Sequence, residues 1–252
     1  MRRTSVARAA GRGRLYERHA AAADRGAWSV ERDIDWDAVD PALALATPEV
    51  LERVREAAVI ESFHPVNLGR LMRATWDDLD AGVAFSLEAY EGFKHFQALR
   101  RYLETVGHQP ALTDEELVEA RRQGAAVEIG AHQVLERLVD FMLSEHLASW
   151  FFRRLAEQAR EPVLVRLLGL IARDEVRHAQ SASDLIARRV ASDPSLAPRV
   201  LEAAAGFRHY GDEVVGRVPV ALAGDLAAIK SFARRIERIA GARLVDHLKE
   251  DL

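Results

Sequence analysis

The octapeptide IARDEVRH occupies residues 171–178 and carries the clearest pattern in the chain. Its Glu175 and His178 are three positions apart, a spacing that places both side chains on one face of an α-helix. The surrounding sequence is rich in Leu, Ala, Glu and Arg, which favour helices, and its apolar residues recur every three to four positions. The stretch therefore predicts a long amphipathic helix that presents a carboxylate and an imidazole together.

Two pairs of glutamates share one interval. Glu145 lies 30 positions before Glu175, and Glu61 lies 30 positions before Glu91. Residues 30 apart lie level in an antiparallel helix hairpin only when the turn falls halfway between them. About 13 helical residues at 1.5 Å each then place every carboxylate roughly 20 Å from its turn.

Helix-breaking sequences stand near both midpoints. WDD at residues 76–78 offers an aspartate that can cap a following helix, and EP at residues 161–162 places a proline where it suits the first turn of a helix. Each glutamate pair therefore predicts one helix hairpin.

A histidine follows the second glutamate of each pair. His95 is four residues after Glu91 and His178 is three after Glu175, both compatible with one helix face. Four helices would thus bring six side chains into one core: Glu61, Glu91, His95, Glu145, Glu175 and His178. Any one glutamate is more often on a solvated face, but four buried carboxylates need compensating charge, which two divalent metals provide.

The predicted fold class is all-α, a four-helix bundle with a long crossover between its two hairpins and additional C-terminal helices. A capping box at Thr113 and Glu116 opens the crossover helix, which ends near Gln123. The other predicted helices cover residues 48–74, 78–106, 126–159, 162–190, 195–214 and 222–240.

Two regions are predicted. Residues 1–40 form a flexible Arg-rich arm, up to about residue 26, followed by a strap that two tryptophans, Trp28 and Trp36, hold against the body. Residues 41–252 form the helical bundle domain.

Composition excludes several classes of protein. The 252 residues carry a net charge of −4, which disfavours nucleic acid as a partner, and the absence of cysteine excludes thiolate metal sites, iron–sulfur clusters and disulfides. No stretch approaches the ~18 apolar residues of a membrane span, and the N-terminus lacks the apolar core of a secretory signal. We therefore expect a cytoplasmic protein.

The sequence DEVRH at residues 174–178 resembles the signature of ferritin-like non-haem di-iron oxidases and oxygenases. Together with ALRRYL at 98–103 and the LA and EP dipeptides at 155–156 and 161–162, it is more narrowly similar to soluble bacterial acyl-acyl-carrier-protein desaturases, over about residues 50–190. The resemblance implies a ferritin-like bundle and a homodimer. It also implies that the six residues bind two iron ions, or manganese and iron, with O2 as co-substrate, and that Asp174 hydrogen-bonds a ligand histidine.

The first half of the predicted site departs from this pattern. Glu91 and His95 are separated by one residue more than in a Glu-x-x-His unit, and Tyr90 stands where a second acid is expected. A one-residue π-bulge near Gly92 would restore the helix phase of Glu91 relative to His95. Alternatively Glu88, on the same helix face, contributes to the site.

A further candidate is His64. Residues 61–64, ESFH, are themselves a Glu-x-x-His unit, although Pro65 follows it directly.

The predicted function is an O2-dependent di-metal oxidoreductase that desaturates or hydroxylates a small or acyl-type substrate, free or bound to a carrier protein. Arginine pairs at residues 153–154 and 188–189 are candidate docking points for an acidic carrier. No dinucleotide fingerprint is present, so electrons would come from a separate ferredoxin or reductase. Two alternatives stay open: a ferroxidase or peroxide-handling protein of ferritin type, and a non-catalytic helical interaction scaffold.

Overall fold

The computed structural model describes residues 14–125, 128–215 and 226–246. Across these ranges the chain contains no β-strand, so the predicted all-α class is confirmed. In chain order the α-helices are α1 Leu15–Gly26, α2 Pro41–Leu45, α3 Pro48–Ala74, α4 Leu79–Val106, α5 Asp114–Ala125, α6 Val134–Gln158, α7 Pro162–Ser192, α8 Ala197–Ala205, α9 Asp212–Val215 and α10 Leu226–Ala240.

Two helix hairpins form the body of the protein. Helix α3 packs along α4 and helix α6 along α7, while α4 also contacts α7 and α3 contacts α6. Helix α5 connects the hairpins as the predicted crossover. The four-helix bundle predicted from the glutamate intervals is therefore confirmed.

Both hairpin turns lie where the sequence places them. Asp78 caps α4, its carboxylate accepting a hydrogen bond from the backbone N–H of Ala81 at 3.2 Å. Pro162 is the first residue of α7, and the buried carboxylate of Glu161 accepts hydrogen bonds from the N–H groups of Val163 and Leu164 at 3.1 and 2.7 Å.

Glu161 also accepts a hydrogen bond from the hydroxyl of buried Tyr102 at 3.1 Å. Glu161→Ala removes the helix cap and leaves that hydroxyl without this acceptor, so we expect a loss of about 2 kcal/mol in the free energy of unfolding and a Tm lower by roughly 4–8 °C. Thermal unfolding followed by circular dichroism measures the change in Tm. Exposed Glu157→Ala is the control, and an equal effect of the two substitutions would contradict the assignment.

Some predicted helix ends differ from the structure. Helix α6 begins at Val134 rather than near residue 126, because a 3₁₀ turn, Ala131–Gln133, precedes it. The predicted helix 195–214 is divided into a 3₁₀ turn and helices α8 and α9, with a non-helical segment after Gly206. The start of the predicted helix 222–240 lies outside the described residues.

The N-terminal segment is more ordered than predicted. Residues 1–13 of the predicted flexible arm lie outside the described residues, but the remainder forms α1, which packs against α4 and α7. Leu15, His19 and Ala23 are buried because four-residue spacing aligns them on one face. The division into an arm and a bundle domain stays a prediction.

The strap between α1 and α2 lies over the bundle. The Trp36 indole N–H donates to the carbonyl of Val30 at 2.7 Å, and the Arg101 guanidinium lies 4.4 Å from the centre of the Trp36 ring. Trp28 is buried more deeply, with its N–H directed at the bundle interior.

A layer of buried polar side chains separates two apolar cores along the bundle. One core contains Leu51, Leu99 and Leu168, and the other contains Phe85, Phe141 and others nearer the opposite end. Between them lie the buried histidines and glutamates of α3, α4, α6 and α7. This layer is deep inside the bundle, as the 30-residue intervals predict.

None of the described helices is long and apolar enough to cross a membrane.

Candidate metal centre

Two groups of buried histidines and glutamates meet in this layer. One contains Glu61, His95 and Glu175, and in it one potential ligand atom from each residue lies within 4.8 Å of the others. The second contains His64, Glu145 and His178 and meets the same distance criterion. The centres of the His95 and His178 rings are 5.9 Å apart, so the groups are adjacent.

The first group brings together three different helices. His95 Nδ1 lies 3.0 Å from a carboxylate oxygen of Glu175 and 3.6 Å from one of Glu61. Glu61 is on α3, His95 on α4 and Glu175 on α7, and all three are buried. The set offers two carboxylates and one imidazole.

The second group also uses three helices. His178 Nδ1, on α7, lies 3.2 Å from Glu145 and 3.0 Å from Glu175, whose carboxylate thus reaches both groups. His64 Nδ1, on α3, lies 3.9 Å from Glu145 and 2.9 Å from the hydroxyl of Tyr210. The set offers two imidazoles and one carboxylate.

Two acids hold the outer nitrogens of the histidines in a reciprocal arrangement. Asp174 on α7 lies 3.0 Å from Nε2 of His95 on α4, and Glu91 on α4 lies 2.8 Å from Nε2 of His178 on α7. Each acid is four positions before the histidine of its own helix and pairs with the histidine of the other. The predicted contact of Asp174 with a ligand-type histidine is present in the structure.

Glu91 is therefore absent from both groups, although the sequence analysis includes it among the six ligands. Its second oxygen pairs with the Arg177 guanidinium at 2.5 Å. The acid reciprocal to Asp174 is Glu91 rather than a residue at position 90, since Tyr90 is 69% exposed. The predicted π-bulge near Gly92 is wrong: α4 is α-helical throughout, because pairing across helices removes the need to shift its phase.

Asp174 is the centre of a buried charged network that the sequence analysis did not find. Its carboxylate accepts a hydrogen bond from the Trp28 indole N–H at 2.7 Å and contacts Arg177 at 2.9 Å and Lys94 at 3.1 Å. His95 first, and then Lys94 and Arg177, hold the pKa of Asp174 well below its usual value despite burial. Trp28 is 146 positions away, and no local pattern marks it as a partner.

The electrostatics of the two groups favour positive charge. Burial and the nearby Glu175 raise the pKa of Glu61 and of Glu145. Burial alone would lower the pKa of His95 and of His178, yet the surrounding carboxylates, Glu175 first, raise both. Conversely, the two histidines outweigh burial and lower the pKa of Glu175. Bound protons here supply the charge that a metal cation would supply more effectively.

Several ligand-type atoms in the two groups make no well-oriented hydrogen bond within the described part of the chain, although His95 Nδ1 and one Glu175 oxygen lie 3.0 Å apart. They are one carboxylate oxygen each of Glu61, Glu145 and Glu175, with Nε2 of His64 and Nδ1 of His95. Buried polar atoms without a partner are costly and therefore rare. Their concentration at one place, in residue types that bind divalent transition metals, fits a metal centre.

Glu88 is buried close to the second group. It is 2% exposed, and neither of its carboxylate oxygens has a hydrogen-bond partner among the residues described. Burial, together with Glu91 and Glu175, raises the pKa of Glu88 to about 8. It belongs to neither ligand group.

His64 is placed in the second group, not in the predicted first half of the site. Burial and the charge of His178 lower the pKa of His64 to about 3, so the ring is neutral near pH 7, as a metal-binding imidazole must be. The sequence signal for it was the ESFH unit. Pro65 does not interrupt the helix, since α3 continues to Ala74.

Comparison with known proteins gives a partial sequence match and a full-length structural match. Over 93 residues, 36% of this chain, the sequence is 34% identical to a protein of two Mycobacterium tuberculosis strains whose assigned name is acyl-(acyl-carrier-protein) desaturase DesA2. The match spans only 33% of the length of these curated relatives. No family model matches the chain.

The fold is similar to that of an R2-like ligand-binding oxidase from Sulfolobus acidocaldarius. The TM-score is 0.59, with 98% of this chain and 99% of that chain covered, at 15% sequence identity. The ferritin-like fold and the desaturase resemblance predicted from the sequence are therefore confirmed.

Proposed function

Starting from this ferritin-like fold, we propose that the protein is a di-metal oxidoreductase whose two ions occupy the two buried groups. The observation that carries the proposal is the meeting of both groups in one layer, with unpartnered ligand atoms in each. A purely structural bundle has no use for such atoms, which makes the interaction scaffold the weaker interpretation.

The residues assigned to metal binding are Glu61, His95 and Glu175 in one group and Glu145 and His178 in the other. Glu91 is reassigned from the predicted ligand set to the support of His178. When bound, two iron ions, or manganese and iron, would supply the redox chemistry with O2 as oxidant. The chain orients the imidazoles: Asp174 and Glu91 hold the Nε2 atoms of His95 and His178, so each Nδ1 faces the carboxylates. The two apolar cores exclude water from both sides.

The proposed reaction is desaturation or hydroxylation of a small or acyl-type substrate, with electrons from an external ferredoxin or reductase. The name of the mycobacterial relatives supports a carrier-bound acyl chain. The arginine pair at 188–189 is a weaker docking candidate than predicted, since both arginines contact Asp78 and Arg188 also contacts Asp80. The homodimer and the cytoplasmic location stay predictions.

Metal loading tests the proposal directly. After anaerobic addition of Fe(II) and removal of free metal, we expect two irons per chain and, on rapid mixing with O2, a transient visible absorption band. Glu175→Ala and His178→Ala each remove a central ligand and should abolish the band and reduce bound iron to one ion or none.

His146→Ala is the matched control. His146 is a buried histidine next to Glu145 that belongs to neither group, so its loss should leave two irons bound. Unchanged iron content in the Glu175 and His178 variants would overturn the assigned site. Iron oxidation and retention without oxidation of any organic substrate would instead favour the ferroxidase alternative.

A further inference from the structure

Helices α4 and α7 each carry one histidine of the site, and the residues before the two histidines can be compared position by position. In α7, Glu175 and Asp174 lie three and four positions before His178. In α4, Gly92 and Glu91 lie three and four positions before His95. Asp174 and Glu91 have equivalent contacts, since each pairs with the Nε2 atom of the histidine on the other helix. The positions three before the histidine differ: α7 directs a carboxylate into the centre, and α4 has no side chain there.

The space beside Gly92 is filled by His64. A Cβ atom built at position 92 would lie 2.5 Å from Cδ2 and 2.9 Å from Cγ of the His64 ring. No real Cβ approaches a ring so closely, and the imidazole is packed on its other sides against Phe141 and Tyr210. A side chain at position 92 and the observed position of His64 therefore exclude each other.

His64 is also placed as a ligand. It is 1% exposed, its Nε2 atom has no hydrogen-bond partner in the described ranges, and it shares a group with Glu145 and His178. The Tyr210 hydroxyl at 2.9 Å fixes the orientation of its ring, as outer partners of metal-binding histidines commonly do.

We propose that His64 binds the second metal ion in place of a carboxylate at position 92, so that α3 supplies two ligands and α4 only one. This inference rests on the proposed di-metal function and specifies its ligands. The centre then has three imidazoles and three carboxylates, in place of the two imidazoles and four carboxylates that two Glu-x-x-His units and two further glutamates provide. Its ligands carry one negative charge fewer, and the two half-sites differ in chemistry.

Cobalt binding tests the inference without relying on activity. Co(II) is titrated anaerobically into the chelator-treated full chain, and its visible absorption gives the affinity of each site. X-ray absorption at the cobalt edge gives the number of imidazoles bound to the two cobalt ions together. We expect two ions and three imidazoles in the unaltered protein. In His64→Ala, the weaker site should lose affinity at least about 100-fold, and the imidazole number should fall to two.

Exchange of the ligand provides the sharper experiment. In the double variant His64→Ala with Gly92→Glu, the space vacated by the ring accommodates the new side chain, so two-ion binding should return with two imidazoles. Gly92→Glu alone should lower the Tm, because the new side chain meets the ring. His64→Phe keeps a ring beside Gly92 without a nitrogen, and it replaces His64→Ala if that variant does not fold.

The failures of the two proposals are distinguishable. If His64→Ala and His64→Phe bind two ions with unaltered affinity while Glu175→Ala does not, the role of His64 is overturned and the di-metal function stands. If the unaltered protein binds no cobalt, both are overturned. His146→Ala should behave as the unaltered protein throughout, and a loss of cobalt in that variant would contradict the specific role of His64.

Discussion

Asp174→Ala should lower the free energy of unfolding by about 3–5 kcal/mol and the Tm by on the order of 10 °C. The carboxylate is fully buried and contacts Trp28, His95, Arg177 and Lys94 at 2.7–3.1 Å. Its removal leaves buried positive charge without a counterion, which costs more than the net value of the interactions lost. Urea denaturation of the chelator-treated protein, followed by circular dichroism, measures the change.

The conservative variant Asp174→Asn separates charge from shape. Because the folded protein holds the pKa of Asp174 well below its usual value, the carboxylate stabilises the fold above pH ~4 and loses this effect as the pH falls towards the lowered folded-state pKa. Asp174→Asn should therefore be destabilised at pH 7, and its difference from the unaltered protein should shrink at acid pH. Asp114→Ala, which removes an exposed ion pair with Arg100, is the control and should change stability by less than about 1 kcal/mol. A loss for Asp174→Ala as small as that would contradict the network.

The arrangement of the helices could be predicted because its determinants are local. Asp78 caps one helix and Pro162 begins another, and each acts within a turn of its own position. Given the two turn positions, the 30-residue intervals predict two helix hairpins and the distance of each glutamate from its turn. The segment after Gly206 and the start of α6 could not be placed in this way, since FRHYG at 207–211 and AVEIGAHQ at 126–133 contain no proline or capping pattern that fixes a helix boundary.

The grouping of the buried histidines and glutamates could be predicted only in part, for a different reason. Glu61, His95, Glu145, Glu175 and His178 meet as the helix phases indicate. Whether a polar atom faces the centre or the outer nitrogen of a histidine depends on the partner helix, and one helix cannot reveal it. Glu91 was assigned by its interval from Glu61, but its contacts are set by His178 and Arg177 on α7.

His64 and Gly92 are a second case in which a contact between two helices cannot be predicted from either helix alone. The ESFH unit marks His64 as a candidate, but the complementarity of His64 and Gly92 exists only where α3 and α4 touch. Comparing the two histidine-bearing helices by counting back from the histidine, rather than from the glutamate, would have exposed the missing carboxylate at position 92.

Glu88 should make the metal-free protein less stable as the pH rises. Because the folded protein raises its pKa to about 8 while the unfolded chain releases the proton near pH 4.5, folding retains a proton that the unfolded chain loses. Stability attributable to Glu88 therefore falls between pH ~4.5 and ~8. The pKa difference of about 3.5 units, at about 1.4 kcal/mol each, sets an upper limit of about 5 kcal/mol.

Glu88→Gln should remove this dependence. In chelator-treated protein, the variant should match the unaltered protein near pH 4.5, exceed its stability progressively as the pH rises, and reach a constant advantage above pH ~8. Glu104→Gln, at an exposed position of the same helix, should show no such divergence. Two metal ions in the adjacent groups would favour the ionised carboxylate, so metal loading should reduce the advantage of Glu88→Gln. Parallel stability curves for Glu88→Gln and the unaltered protein between pH 5 and 9 would show that Glu88 is ionised in the folded state, and would contradict this prediction.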